Sequence, residues 1–206
     1  MIAPMIGVIS SGYGNVIPIT NILKMKGIRT KLISSTKDAT DCDKLIIPGV
    51  GAFDPFLTKL KGLGLDEVIY WYASHSKPIL GICIGAHVLC RQSEEGVLAG
   101  LDLINVGIKK FNKVDKMRIP HMGWNKIITH HQHPIFNDMA VDHRFYFVHS
   151  YHFCDDDNIF TLATSLYGYE FPSILSHKNI IAAQFHPEKS QKHGMKVLEN
   201  FALYVE

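Results

Sequence analysis

Short apolar runs rich in isoleucine and valine alternate with stretches of helical period through the first half of the chain. The apolar runs predict four β-strands, at 5–10, 29–34, 43–53 and 77–83. We expect Pro48, Gly49 and Gly51 to cut the third of these strands short. The hydrophobic spacing between the strands predicts helices over about 15–26 and 65–75. Strands that alternate with helices are typical of β-α-β units, so the first half predicts a mainly parallel sheet flanked by helices.

The second half has a different pattern, in which strand-like segments follow one another with only short turns between them. These segments lie at 145–153, 159–167, 173–178 and 179–186. A final helix is predicted from about 189 to 204. Short connections join antiparallel strands, whereas parallel strands need a long crossover. We therefore predict an α/β fold whose mainly parallel central sheet continues into an antiparallel extension.

The composition is that of an ordinary globular protein and excludes several other classes. The 206 residues are 47% hydrophobic and 19% charged, so we expect a single domain over residues 1–206. A formal charge of +2 is too small to indicate a nucleic-acid or membrane partner, and no apolar stretch approaches the roughly 20 residues of a membrane span. The four cysteines include no C-x-x-C pair, which argues against zinc ribbons and disulfide frameworks and favours a reduced, cytoplasmic protein.

The candidate chemistry begins at Gly-Ile-Cys-Ile-Gly, residues 81–85, where an apolar strand gives way to a helical pattern. This layout is typical of a nucleophile elbow, in which a strained turn projects the nucleophile above the sheet edge. One of Gly81 and Gly85 would permit an unusual backbone angle, and the other would let strand and helix pass closely. A helix N-terminus beside the sulfur would favour the thiolate of Cys83. The alternative is a buried core cysteine, which is a common role of free cysteine.

A thiolate nucleophile needs a positioned base, and the segment around His186 offers one. His186 leaves an apolar strand directly before Pro187, and Glu188 follows two residues after His186. If the strands are parallel, His186 and Cys83 meet at the same edge of the sheet, where Glu188 can accept the Nδ1 proton of His186. An exposed histidine followed by a helix-capping glutamate is the alternative. A zinc deaminase is excluded, because its H-x-E motif requires later cysteines and none follows Cys154.

The glycine-rich turn in LIIPGVGAF, residues 45–53, offers the remaining part of a cysteine acyl-transfer site. Its glycines leave backbone N–H groups free to face an oxyanion that develops on the substrate. A lone turn of this kind is weak support for catalysis. Three strand ends that contribute a nucleophile, a base and an oxyanion turn form a more specific combination.

Together these segments resemble the class I, triad-type glutamine amidotransferases, and within them the glutaminase subunits of imidazole glycerol phosphate synthases. The matching stretches cover almost the whole chain: GYGN (12–15), LIIPGVGAF (45–53), GLDEVI (64–69), KPILGIC (77–83), SEEG (93–96), IPHMGWN (119–125), FYFVHSY (145–151) and QFHPEKSQ (184–191). PHMGWN beside YFVHSY is specific to these subunits among the amidotransferases. The resemblance implies the flavodoxin-like fold of class I glutamine amidotransferases.

The resemblance also implies a role for each candidate residue. Cys83 would be the nucleophile, His186 the general base and then acid, and Glu188 the residue that orients His186. The peptides of Val50 and Gly51 would form the oxyanion hole. The residues that would hold glutamine are Gly49, Gly51, His87, His149, Ser150 and Tyr151. The residues that would face a partner are Trp124 and Asn125.

The implied reaction is hydrolysis of L-glutamine to glutamate and ammonia through a γ-glutamyl thioester, with no cofactor and no metal. An amidotransferase domain alone leaves no residues for a synthase, so the acceptor enzyme would be a separate chain. The resemblance implies a (β/α)8-barrel cyclase in a heterodimer, which makes imidazole glycerol phosphate in histidine biosynthesis. Ammonia would reach the cyclase through an internal passage, because ammonia released into neutral water is mostly protonated and no longer nucleophilic.

Two departures from the family pattern leave alternatives open. His87 stands where the family usually has a glutamine that contacts the substrate. It either replaces that amide or, when protonated, stabilises the Cys83 thiolate one helical turn away. The first strand ends in SSG at 10–12, where the family usually has Asp-Tyr-Gly. The departure at SSG fits a paralogue that supplies ammonia to a sugar-modifying partner in surface polysaccharide synthesis. The intact triad argues against a third alternative, a catalytically silent binding or regulatory subunit.

Overall fold

The computed structural model describes residues 4–39, 41–114, 117–139 and 142–205, and a mixed β-sheet runs through its centre. The strands are β1 (Met5–Ile9), β2 (Arg29–Ile33), β3 (Lys44–Gly49), β4 (Ile79–Cys83), β5 (Cys90–Ser93), β6 (Ile104–Lys110), β7 (His121–Lys126), β8 (Ile128–Thr129), β9 (Arg144–His149), β10 (Tyr151–Cys154), β11 (Thr161–Tyr167), β12 (Tyr169–His177) and β13 (Ile180–Ala183). The helices are α1 (Val16–Met25), α2 (Phe53–Gly62), α3 (Leu65–Ser74), α4 (Ile84–His87) and α5 (Gln191–Tyr204). Short 3₁₀ turns lie at Thr36–Asp38, Pro134–Phe136 and Pro187–Lys189.

The central sheet has the strand order β2-β1-β3-β4-β13-β12-β11-β8. The first five strands in this order are parallel, and β12, β11 and β8 continue the sheet in antiparallel fashion. This arrangement confirms the predicted fold class, and the order of the parallel strands is that of flavodoxin-like sheets. The remaining strands form a three-stranded sheet, β10-β6-β5, and a two-stranded ribbon, β7-β9.

Helices cover both faces of the central sheet, because the strand side chains alternate between two apolar clusters. Ile46 packs into the cluster that contains α1 and α5, whereas Leu45 and Ile47 pack into the cluster that contains α2 and α3. Every residue of β3 is buried, as expected of a parallel strand with helices on both sides. None of the helices in the described part of the chain combines the length and apolar character that a membrane crossing requires.

The structure confirms the strands predicted for the first half and the two helices predicted between them. Helices α1 and α3 begin and end within one residue of the predicted bounds. Pro18 lies in the first turn of α1, where a helix does not need its missing N–H. Gly27 follows the helix with a φ of 72°, the left-handed conformation that ends many helices.

The predicted interruption of the third strand by Pro48, Gly49 and Gly51 is confirmed in that β3 ends at Gly49, although the strand continues through Pro48. Backbone polar groups of a strand alternate between its two neighbours, and Leu45 donates towards the β4 side. The nitrogen of Pro48 therefore faces β1, whose pairing with β3 already ends at Val8 and Ile46. Proline thus costs no ladder hydrogen bond at this position.

Other elements differ from the predicted ones in the second half and after β3. The predicted strand at 145–153 is two strands, β9 and β10, which separate at Ser150 and lie in different sheets. The final helix begins at Gln191, after a 3₁₀ turn. The sequence analysis did not predict α2, β5, β6, β7 or β8. Helix α2 had a signal, since its buried residues have helical spacing: Phe53, Phe56, Leu57 and Leu60.

Three neighbouring strand ends bring the candidate residues to one edge of the sheet. Strands β3, β4 and β13 are adjacent and parallel, so their carboxyl ends lie side by side. Gly49, the last residue of β3, pairs with Cys83, the last residue of β4. Strand β13 ends at Ala183, in register with Ile82, and the chain continues to His186. The predicted meeting of these segments at one sheet edge is confirmed.

Candidate functional site

Cys83 lies at the turn between β4 and α4 in a backbone conformation that is rare for a residue with a side chain. Its φ is 54° and its ψ is −114°. Such a conformation costs of the order of 1–3 kcal/mol and persists only where the surrounding structure enforces it. The turn has the geometry of a nucleophile elbow, as the G-x-C-x-G segment predicts.

The two glycines around Cys83 both permit close packing, and neither has the unusual backbone angle that we expected of one of them. A Cβ on Gly81 would lie 2.7 Å from the Cα of Ala86, and a Cβ on Gly85 would overlap the carbonyl oxygen of Ile47. The strained angle belongs to Cys83 itself. Strands β3 and β4 can therefore approach α4 this closely only while both positions lack a side chain.

His186 and Glu188 lie together in the interior beside the cysteine turn. Nδ1 of His186 is 2.9 Å from Oε1 of Glu188, and the two side chains are only 1% and 3% exposed. A carboxylate oxygen accepts hydrogen bonds, so Nδ1 carries the proton of the neutral ring. Nε2 is left for Cys83, whose side chain lies close enough to raise the pKa of His186. The structure thus brings the three predicted triad residues together in the order Cys83, His186, Glu188.

The electrostatic environment of His186 favours its imidazolium form. Burial alone would lower the pKa of His186, but hydrogen bonds to Cys83 and Glu188, together with their negative charges, outweigh burial and raise that pKa above its usual value. Helix α4 contributes less than we expected, because it is four residues long and a single turn carries only a small dipole. The positive charge nearest to the Cys83 sulfur is therefore that of the His186 imidazolium.

Backbone contacts hold His186 in place from strand β9. The N–H of His186 donates to the carbonyl of Tyr146 at 2.9 Å, and the N–H of Tyr146 donates to Oγ of Ser190, also at 2.9 Å. The Ser190 hydroxyl donates in turn to the carbonyl of His186 at 2.6 Å. Neither Tyr146 nor Ser190 was predicted from the sequence to contact His186. Their places in the FYFVHSY and FHPEKS stretches were the only signals, and the contact itself depends on tertiary structure.

The predicted oxyanion turn follows Gly49 directly and therefore lies beside Cys83. A Cβ on Gly49 would overlap Ile84, so only glycine allows β3 to end this close to the elbow. Gly51 has a φ of 101°, a conformation that glycine adopts without strain. Val50 and Gly51 are both exposed at this edge, beside the pair of strand ends.

Hydrogen bonds in both directions between residues 53–54 and residues 95–98 fix the start of helix α2, immediately after the oxyanion turn. Oε2 of Glu95 accepts a hydrogen bond from the N–H of Phe53 at 3.1 Å. The carboxylate of Asp54 accepts from the N–H groups of Val97 and Leu98 at 2.9 and 3.2 Å. Burial raises the pKa of Glu95, although the bond from Phe53 favours its charged form. The SEEG stretch, to which the sequence analysis assigned no role, thus supports the turn.

Residues 149–151, hereafter the corner, form the bend where β9 ends and β10 begins. The carbonyl of Ser150 accepts a hydrogen bond from the N–H of Phe111 at 3.0 Å. His149 is 7% exposed, and both of its ring nitrogens are hydrogen-bonded within the protein. The carbonyls of Ser150 and Tyr151 and the imidazole of His149 are therefore already engaged within the protein. Glutamine binding at the corner stays a prediction.

His87 is buried behind the elbow and is neutral at physiological pH. Its Nε2 lies 2.9 Å from Oε1 of Gln184, which makes Nε2 the donor, and its ring packs edge-on against Phe153. Burial lowers the pKa of His87 to about 4, despite the bond to Gln184. The hypothesis that a protonated His87 stabilises the thiolate is therefore wrong. In this structure His87 links α4 to the strand end that carries His186.

We expect His87→Gln to leave the pH dependence of kcat/KM unchanged between about pH 6 and 9, because His87 is uncharged throughout that range. Initial rates of glutamate release, measured over a series of pH values, would give the pH dependence of kcat/KM. Glu188→Gln is the positive control, since losing that carboxylate lowers the pKa of His186 and moves the alkaline limb of the profile to lower pH. A shift in His87→Gln as large as that of the control would contradict a neutral His87.

The side chains of Trp124 and Asn125 point to opposite faces of β7. Met122 and Trp124 are 62% and 46% exposed and form an apolar strip on the outer face. Asn125 points inward, where its Nδ2 donates to the carbonyl of Leu166 at 2.9 Å and lies 3.3 Å from Nε2 of His121. Its Oδ1 accepts from the next backbone N–H. Trp124 is therefore available to a partner, whereas the polar atoms of Asn125 are already engaged.

Comparison with known proteins agrees with this geometry. The family described as "Glutamine amidotransferase class-I" matches residues 15–205. The chain belongs to the class I glutamine amidotransferase family. Imidazole glycerol phosphate synthase subunit HisH of Sulfurimonas denitrificans is 41% identical over 204 residues, which cover 97% of this chain and 98% of that relative. Subunit HisH 2 of Methanococcus maripaludis is 43% identical over 198 residues, which cover 96% of this chain and 98% of the relative.

Solved structures show the same amidotransferase fold. The structure of PurLQS from Thermotoga maritima covers 100% of both chains with a TM-score of 0.78 and 17% sequence identity. At that identity the likeness concerns the fold alone. The family match and the HisH relatives confirm the resemblance, the fold class and the enzyme class predicted from the sequence. The roles of individual residues within this amidotransferase stay predictions.

Proposed function

We propose that this chain is the glutaminase subunit of an imidazole glycerol phosphate synthase and hydrolyses L-glutamine through Cys83. The observation that carries the proposal is the buried series of Cys83, His186 and Glu188 at neighbouring strand ends. Its place in histidine biosynthesis is supported by relatives that are named as HisH subunits and match this chain over nearly their full length. The thiol chemistry requires reduced cysteine, so we place the reaction in the cytoplasm.

In the first half of the reaction, the Cys83 thiolate attacks the side-chain amide carbon of glutamine and forms a C–S bond. The carbonyl π electrons move to oxygen, and the resulting oxyanion accepts hydrogen bonds from the N–H groups of Val50 and Gly51. His186 gives its Nε2 proton to the amide nitrogen as the C–N bond breaks, and ammonia leaves. The product on the enzyme is a γ-glutamyl thioester.

In the second half, neutral His186 takes a proton from a water molecule that attacks the thioester carbon. The same turn stabilises the second oxyanion, and the C–S bond then breaks to return the thiolate and release glutamate. Glu188 accepts the Nδ1 proton of His186 throughout, which keeps Nε2 directed at sulfur and stabilises the imidazolium form. Each turnover consumes one water and restores the starting thiolate and imidazolium.

Glutamine is held, in this proposal, between the oxyanion turn and the corner. Gly51 has no side chain to fill the exposed edge beside Cys83, Gly49 lets the turn lie directly against the elbow, and the backbone of the corner supplies hydrogen bonds to the α-carbon end of glutamine. His87 acts indirectly, because its ring is only 2% exposed and its Nε2 is bonded to Gln184. This differs from the substrate contact implied by the family resemblance.

The ammonia acceptor is proposed to be a (β/α)8-barrel cyclase subunit, bound as a heterodimer. The outer face of β7 supports this part of the proposal, because Met122 and Trp124 expose apolar surface on the ribbon whose second strand, β9, binds the backbone of His186. Exposed apolar residues in a cluster are typical of protein interfaces. Direct transfer keeps ammonia unprotonated until it reacts.

The test is glutamate release by the purified chain with and without the cyclase and its ligand. We expect a low rate alone and stimulation of about 5- to 150-fold in the complex, the usual range of coupling between sites. Trp124→Ala should lose most of this stimulation, whereas Trp71→Ala, at the similarly exposed tryptophan of α3, should keep it. Absence of glutamate under both conditions would contradict the proposed function.

A second candidate function is supply of ammonia to a different acceptor, such as a sugar-modifying enzyme. One observation favours keeping it: the SSG segment at 10–12, directly after β1, stands where the family usually has Asp-Tyr-Gly. The same assay separates the candidates. A paralogue with another acceptor would release glutamate slowly and show no stimulation by the histidine-pathway cyclase.

A further inference from the structure

Two buried histidines are bonded directly to each other, His149 in the corner and His121 behind it. His121 and His149 are 3% and 7% exposed, and they occupy paired positions on β7 and β9. Nδ1 of His121 is 2.9 Å from Nε2 of His149. Nδ1 of His149 is 2.7 Å from the carbonyl oxygen of Tyr151, within the corner. The proposed mechanism does not use His121.

The donor and acceptor of each hydrogen bond in this series can be assigned from the last bond, which ends on the carbonyl of Tyr151. The Tyr151 carbonyl can only accept, so His149 carries its proton on Nδ1. Burial lowers the pKa of both histidines, which keeps both rings neutral. Nε2 of His149 is therefore an unprotonated acceptor, and His121 donates to it from Nδ1. Nε2 of His121 is left as an acceptor that faces the Asn125 amide at 3.3 Å.

The series begins next to the exposed face of β7 and ends at the corner. Asn125 is held by the Leu166 carbonyl and follows Trp124, whose side chain lies on the outer face of the same strand. Asn125 donates to His121, His121 donates to His149, and His149 donates to the carbonyl of Tyr151. In the described contacts, each ring nitrogen of His121 and His149 has one hydrogen-bond partner. Only one placement of the ring protons therefore pairs every donor with an acceptor.

We propose that His121 is a positioning residue for glutamine, which acts by donating a hydrogen bond to His149 and so fixes the backbone of the corner. The proposal rests on the function proposed above, in which the corner holds glutamine. Without the His121 donor, Nε2 of His149 is a buried acceptor with no partner, and His149 can rotate to find one. Rotation breaks the bond from its Nδ1 to the Tyr151 carbonyl and releases the corner.

His121 also packs as an aromatic ring, and the test has to separate packing from donation. The ring stacks on Phe147 with centroids 4.9 Å apart and on Tyr167 with centroids 4.0 Å apart. His121→Phe keeps the ring and loses the donor. His121→Asn loses the ring but places an amide N–H close to where Nδ1 was, because the asparagine amide matches that side of the imidazole.

Glutamine KM and kcat would be measured for both variants in complex with the cyclase. We expect His121→Phe to raise KM about tenfold, the effect of one lost hydrogen bond, with kcat within about twofold of wild type. His121→Asn should keep KM within about threefold, even if its thermal stability falls. The reverse order, with Phe tolerated and Asn impaired in KM, would overturn the proposal and make His121 a packing residue.

Tyr167→Phe is the matched control, because it keeps the stack on His121 and lies outside the hydrogen-bonded series. Its KM should equal that of wild type. Nitrogen-15 NMR of the histidines gives a readout that is independent of activity, with both His121 and His149 expected as Nδ1–H tautomers. An Nε2–H tautomer at His121 would overturn this proposal while glutaminase activity stands. Expected tautomers in a chain without glutaminase activity would instead contradict the proposed function.

Discussion

Replacing Cys83 by alanine is expected to lower kcat for glutamine hydrolysis by about 10⁴-fold or more, since no other group can form the thioester. Cys83 is the residue that the elbow projects between the oxyanion turn and His186. The fold should be unaffected, because the substitution removes only the sulfur and keeps the Cβ. Glutamate release by the complex with the cyclase, followed over hours, is the measurement.

Cys154→Ala provides the control for this experiment. Cys154 is the one cysteine among the described residues that is not buried, and partial burial together with its neighbour Asp156 raises the pKa of its thiol. A thiol with a raised pKa is a poor nucleophile at neutral pH. Full activity is expected of Cys154→Ala. Residual activity of Cys83→Ala above about one per cent of wild type would contradict the proposed chemistry.

Gly85→Ala is expected to destabilise the protein by at least about 2 kcal/mol and to reduce activity as well. The added Cβ would overlap the carbonyl oxygen of Ile47, a backbone atom of the central strand β3 that cannot move without disturbing its neighbours. Relief of the overlap has to shift α4, which begins at the residue after Cys83. Urea denaturation gives the stability, and the glutamate assay gives the activity.

Gly62→Ala tests whether this loss comes from the specific overlap or from any glycine replacement. Gly62 lies in helix α2, and a Cβ there would meet no atom within 4 Å. Alanine at such a helical position is expected to raise stability by up to about 1 kcal/mol. Equal destabilisation by the two substitutions would show that close packing at the elbow is not what requires Gly85.

Much of the catalytic edge could be predicted because its parts are local in sequence. The G-x-C-x-G segment, the turn around Gly51 and the FHPE segment each follow an apolar strand, and parallel strands bring their carboxyl ends to one edge. Only the adjacency of β3, β4 and β13 had to come from the structure. The strain, expected at a glycine, falls on Cys83, because both glycines are needed for close packing.

The elements that escaped prediction depend on contacts between distant segments. His121 and His149 are separated by 28 positions and meet only because β7 and β9 pair in that register. The bond from His186 to Tyr146 likewise requires β9 to lie beside the end of β13. The charge of His87 could not be predicted from its spacing to Cys83, since full burial against Phe153 decides it. Such burial is a property of the folded chain.

The most direct test of the account is mass spectrometry of the complex, quenched in acid during turnover of glutamine. We predict that a fraction of the peptide containing Cys83 carries the mass of one γ-glutamyl group, that hydroxylamine removes it, and that Cys83→Ala lacks it. Glu188→Gln should change the fraction of the Cys83 peptide that carries the γ-glutamyl group, without moving the modification to another residue. Steady release of glutamate with no adduct on Cys83, or an adduct on another cysteine, would contradict the account.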